Sequence, residues 1–215
     1  MPRAAARSDQ PSALYYDMVR VGLATYGLYP APHLQATVDL RPALSVKARI
    51  THIKTINAGD GVSYGHQFVA SQPMTIATVS IGYADGIPRV LSNQMEAVLH
   101  GQRIRQLGAI TMDQTMFDIS NLTADGESVK EGDVVTLLGQ SADHWLSVER
   151  WAEMAQTISW EILCGFKHRL PRIHSAPGPV SHTVRETTST PVISSRENPT
   201  PCAGSENGKT SSVKL

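Results

Sequence analysis

The sequence predicts a mainly β domain with one or two short helices and a disordered C-terminal tail, and three observations on its 215 residues carry that reading. From Ala43 onward, short apolar and β-branched runs alternate with Gly-Asp and Asp-Gly turn signals, the pattern of successive hairpin strands. Helical spacing behind a capping residue occurs at Ser147. Beyond Ile173 the chain turns to Ser, Thr, Pro and Gly, which offer too little apolar surface to offset the entropy of ordering.

Taken in order, the apolar run from Met18 to Gly27 suits a buried strand that ends in a turn, because its glycines let the backbone approach something closely. Pro30, Pro32 and Pro42 punctuate a connector. Strands follow at Leu44 to Ile56, Met74 to Ile81, Glu96 to Leu99, Gln102 to Leu107, Met116 to Ile119 and Val134 to Leu138. Turns fall at Ala58-Gly59-Asp60-Gly61 and Glu131-Gly132-Asp133. Ser147 caps a helix running to about Gln156, with Val148, Trp151, Ala152 and Ala155 on one face. The segments predicted are therefore 1–42 as a leading piece and connector, 43–173 as the β domain, and 174–215 as the tail.

Composition narrows the function classes. Nineteen basic residues balance nineteen acidic ones without long runs of either sign, so no footprint for nucleic acid or an anionic membrane is present. Cys164 and Cys202 lie far apart, which fits a reducing, cytoplasmic setting better than a disulfide framework. Met1 to Gln10 lacks the apolar core of a secretory signal, and no window reaches the roughly 20 apolar residues of a membrane span. The eight histidines show no His-x-x-x-His spacing, so no metal site is predicted. Gly-rich phosphate loops and a Gly-x-Ser-x-Gly elbow are missing as well.

Chemistry concentrates in three short motifs. Val62-Ser63-Tyr64-Gly65 places a tyrosine behind a glycine-bearing turn, where its phenol either reaches toward a neighbouring surface or packs as an ordinary half-buried strand residue. Ile81-Gly82-Tyr83-Ala84-Asp85-Gly86-Ile87-Pro88-Arg89 sets Tyr83 at a strand end beside an Asp-Gly turn. In Gly108-Ala109-Ile110-Thr111-Met112-Asp113-Gln114, Met112 serves either as core filling or as a backbone donor.

In that order and spacing the motifs resemble the C-terminal domain of alanine racemase, and the likeness covers roughly Asp17 to Ile173. The resemblance implies that Tyr64 is the base that removes the α-proton of the L-enantiomer in the opposite subunit's active site. A phenol in water holds its proton to about pH 10, so such a base is tuned by its neighbours. By the same resemblance Tyr83 and Arg89 form a polar gate with Asp85 alongside. Met112, followed by Asp113, lends its backbone to the substrate carboxylate.

Further implications concern the cofactor, pyridoxal 5'-phosphate. Arg20 would face its pyridine nitrogen, and a guanidinium does not surrender a proton at working pH, so the ring nitrogen stays largely unprotonated. Gly22 and Leu23 would offer backbone N–H groups to its phosphate. Trp160 stands where many relatives place a phosphate-contacting tyrosine, and Ala109 where many carry arginine. Met18 to Leu28 would be the last strand of a (β/α)8 barrel, with 1–42 its remnant and 43–173 the C-terminal β domain. The cofactor lysine is expected on that barrel, and no lysine precedes Lys47. The complete enzyme would be a homodimer that interconverts L- and D-alanine for cell-wall synthesis. This polypeptide by itself would be inactive. The rival reading is a non-catalytic β-barrel interaction module that kept the fold.

Overall fold

The computed structural model describes residues 17–124 and 128–174. In chain order its strands are β1 (Val46–Ile56), β2 (Gly61–Val62), β3 (Phe68–Val69), β4 (Met74–Val79), β5 (Glu96–Leu99), β6 (Gln102–Leu107), β7 (Thr115–Asp118), β8 (Val134–Ser141) and β9 (His144–Leu146). The helices are α1 (Ser120–Ala124), α2 (Val148–Met154) and α3 (Ser159–Gly165). No described helix is long and apolar enough to cross a membrane.

A closed antiparallel barrel forms from the strand order β1-β4-β7-β6-β5-β8, because β8 returns to pair with β1. The long β1 makes this possible by changing partner along its length. Val46 to Arg49 lie against β8, while Ile50 to Ile56 lie against β4, with register shifts at Val46/Lys47 and Ile50/His52. Such irregularities bend a strand and raise its twist, which turns a sheet into a barrel and removes its free edges. Ile50, Ala77, Leu99, Phe117, Val135 and Leu137 fill the interior at no more than 1% exposure.

α2 and the end of α3 meet through aromatic contact and share the core of the barrel. Trp151 of α2 and Phe166, just after α3, lie with ring centroids 6.3 Å apart. Ser147 caps α2 as expected, its Oγ accepting from the Arg150 N–H at 3.1 Å, a bond worth about 1 kcal/mol.

Strand positions read from the sequence agree to within a few residues, and Glu96–Leu99 and Gln102–Leu107 agree at both ends. Three short helices form among the described residues rather than one or two. The five-residue α1 is too short to show a helical period, and the two-residue β2 and β3 are too short to show alternation. The leading run also departs from expectation. Met18, Val19 and Val21 are exposed and in no strand; Leu23–Tyr26 is a 3₁₀ turn closed by Gly27 at φ 74. A strand exists through ladder bonds, and no described segment lies beside these residues to supply them. Leu23 and Leu28 nevertheless belong to the same core as the barrel. The predicted tail lies, beyond His174, outside the described residues.

Candidate active site

The Tyr64 turn is built on a small satellite core. The hairpin β2–β3 packs Val62 and the part-buried Phe68 against Ile56, Ala70, Ile76 and Leu107. Its tip is conformationally demanding: Ser63 has φ 64, Gly65 φ 70 and His66 φ 44. For Ser63 and His66 such values cost on the order of 1–3 kcal/mol each and persist only where surroundings impose them. At Ser63 the restraint is explicit, since its Oγ donates to the Ala109 carbonyl at 2.6 Å. Tyr64 is left 75% exposed, so its phenol projects outward instead of packing as a half-buried strand residue.

The Tyr83 turn lies on the next loop. The Tyr83 and Ala84 N–H groups donate to the Thr111 and Met112 carbonyls, both at 2.9 Å. A Cβ on Gly82 would stand 2.3 Å from the Thr111 oxygen, so only glycine permits the approach. Asp85, read from the sequence as lying beside the gate, instead faces inward at 7% exposure. Its carboxylate accepts from the Gly82 N–H and from Arg169 Nε, each at 2.9 Å, because a buried charge needs partners to offset lost hydration. Tyr83 and Arg89 remain exposed at the rim of a cavity of about 430 Å³ that Glu161 and Lys167 also line.

Arg169→Met should keep the packing of the side-chain stem and remove the partner of Asp85. Because Arg169 is itself 55% exposed, the expected loss is at the low end for a hydrogen bond to a charged group, about 1.5 kcal/mol in urea unfolding. A loss below about 0.3 kcal/mol would show that water replaces the guanidinium freely.

Gly108 opens the third loop at φ 70, with Val62 so close that a Cβ would meet its carbonyl oxygen at 2.5 Å. Ala109 and Ile110 are buried, and Thr111 and Gln114 close a turn by reciprocal bonds. That leaves Met112 54% exposed, not core filling, with Asp113 exposed beside it. Among the described residues the Met112 N–H has no hydrogen-bond acceptor. Ala109 carries no charge, so no ion pair forms at that position.

Tyr64, Tyr83 and Met112 are thus gathered onto loops that hydrogen-bond one another. Arg20 and Gly22 are exposed, Leu23 buries its side chain, and Trp160 is 44% exposed in the first turn of α3. No hydrogen bond among the described residues joins these four to the loops. Sequence reading missed Ser63, Asn93, Gln106 and Arg169, whose parts lie in bonds to distant backbone. The one signal at hand was Gln106, a polar residue two places from Ile104 on the inner face of its strand. No group of three or more His, Cys, Asp or Glu suited to a metal is present among the described residues.

Comparison with known proteins places the described domain. The family described as alanine racemase, C-terminal domain, matches residues 43–174. An alanine racemase of Nostoc sp. is 61% identical over 160 residues, covering 74% of this chain and 40% of the relative. Among solved structures, alanine racemase from Bacillus anthracis with bound L-Ala-P superposes with TM-score 0.67 at 35% identity, over 79% of this chain and 44% of that one. The enzyme from Bartonella henselae with covalently bound pyridoxal phosphate superposes with TM-score 0.66 at 35% identity, over 76% and 43%. The chain spans about two fifths of the length of the relatives it matches.

Proposed function

The chain belongs to the alanine racemase family, and on that premise we propose that it supplies the β-domain half of the active site of a pyridoxal 5'-phosphate-dependent racemase interconverting L- and D-alanine. The observation that supports this most is the Tyr64 turn: a strained, tethered tip that holds a phenol 75% exposed beside the Met112 loop. A tyrosine kept for packing gains nothing from exposure, whereas a base that serves a partner subunit requires it.

The roles divide by chemistry. Tyr64 takes or returns the α-proton at its phenolic oxygen on the L face of the substrate. The Met112 N–H, free of any acceptor among the described residues, donates to the substrate carboxylate, with Asp113 next to it. Tyr83 and Arg89, exposed at the cavity rim, admit and orient a zwitterion through one hydroxyl and one fixed positive charge.

The donors of this chain fit the cofactor. Arg20 carries a guanidinium, Gly22 and Leu23 present N–H groups at the start of a 3₁₀ turn, and Trp160 adds an indole N–H. Gly22 is open, with nothing within 4 Å of a Cβ built there, so a phosphate has room to approach the backbone. When bound, the cofactor supplies the electron withdrawal that makes the α-hydrogen acidic. The proposed assembly is a homodimer in which this β domain faces the cofactor-bearing barrel of the other subunit.

The test is to join residues 17–174 to the N-terminal part of the Nostoc relative and measure interconversion of the alanine enantiomers. Turnover is the expected result. A folded, cofactor-loaded fusion without racemisation would reject the assignment and favour a non-catalytic interaction module. The 215-residue chain by itself should give no stoichiometric borohydride-trapped adduct at any one lysine, because that adduct requires an amine held against the aldehyde. One lysine labelled to completion would contradict this.

A further inference from the structure

Beneath the Tyr64 turn lies a set of side-chain amides with no part in the roles above. Gln106 points inward from β6 at 0% exposure, and each end of its amide is engaged. Its Nε2 donates to the Leu107 and Gly108 carbonyls at 2.9 Å each, and its Oε1 accepts from the Asn93 N–H. That bond seats Asn93 at φ 61, a left-handed conformation asparagine tolerates better than most residues.

The Asn93 side chain is then divided between two loops. Its Oδ1 accepts from the Gly108 N–H at 2.6 Å, and its Nδ2 donates to the Gln67 carbonyl at 3.3 Å. Gln67 ends the Tyr64 turn, and Gly108 begins the loop that carries Met112. At the other end of the same turn, Ser63 Oγ holds the Ala109 carbonyl. A turn tied at one point pivots about it, while one tied at both ends keeps a fixed orientation.

We propose that Asn93, seated on Gln106, is a positioning residue for racemisation: it bridges the Tyr64 turn to the Met112 loop and so fixes the base relative to the carboxylate anchor. The inference rests on the assignment of Tyr64 as base. Proton removal needs the phenolic oxygen within hydrogen-bond reach of the α-carbon's hydrogen, and a displacement of about 1 Å costs up to about 10²-fold in rate.

Two variants separate the two ends of the bridge. Asn93→Gly accepts the φ of 61 and removes both side-chain bonds, whereas Asn93→Asp keeps an acceptor for Gly108 and loses the donor to Gln67. In the 215-residue chain, amide hydrogen exchange should rise about 10-fold over residues 64–68 in both variants. At Gly108 it should rise only in Asn93→Gly. In the barrel-completed enzyme, Asn93→Asp should lower kcat by about 10–10²-fold with KM nearly unchanged, and Asn93→Gly should also raise KM.

Unchanged exchange over 64–68 in both variants overturns the proposal, as does an equal fall in kcat that merely follows a lowered melting temperature. Failure of the base assignment is distinguishable. If Tyr64→Phe turns over normally while both Asn93 variants still loosen the turn, the bridge stands and the base is lost.

Discussion

Tyr64→Phe, introduced into the barrel-completed enzyme, should lower racemisation by about 10²–10⁴-fold, the range for a lost acid-base group, and leave the fold intact. Both halves of that expectation have a structural reason. The Tyr64 side chain is 75% exposed, so phenylalanine takes its place without disturbing a packed neighbour. Among the described residues its hydroxyl makes no hydrogen bond, so removing it orphans no partner. What disappears is the one titratable group on the tip of the turn that faces outward from Ser63 to Gly65.

The enantiomers should respond differently. If the lysine of the restored barrel is the base on the D face, as the family resemblance implies, the α-hydrogen of D-alanine should still exchange with solvent deuterium, while exchange from L-alanine falls with turnover. Tyr83→Phe should act mainly on KM, because a residue at the rim of the cavity orients substrate and takes no proton. Near-normal turnover in both variants would remove Tyr64 from the mechanism.

The second large effect is on stability. Gly82→Ala should cost about 3 kcal/mol, at the upper end for a group forced into filled space, read as a lower urea midpoint. Gly82 has φ −151, extended backbone that alanine adopts freely, so the loss is purely steric. The added Cβ would meet the Thr111 oxygen at 2.3 Å and the Met112 carbonyl at 2.5 Å, backbone atoms that cannot rotate away. To relieve the clash the Tyr83 turn must lift from the Met112 loop and give up its two 2.9 Å bonds. Gly132→Ala is the control: φ is 94 but nothing lies within 4 Å, so only the left-handed strain of about 1–2 kcal/mol remains. Equal losses at the two positions would show that the loops separate without penalty.

The sequence by itself determined the β class of residues 43–173, most strand positions and the cap on α2, because alternation, turn residues and N-cap chemistry act between near neighbours along the chain. Its motifs also singled out Tyr64, Tyr83 and Met112. Barrel closure was decided by tertiary structure, since it depends on β1 meeting β8 across nearly ninety positions, a pairing that no local pattern encodes. The same holds for Asp85, which the sequence reading sets beside the gate and which folding turns inward to accept from Arg169, eighty-four positions away. Met18 to Val21 shows the converse: an apolar run with strand character forms no strand where no described segment pairs with it. Asn93 and Gln106 carry no motif, and their parts emerge only where folding sets one amide between two backbones more than twenty-five residues apart on one side and fifteen on the other.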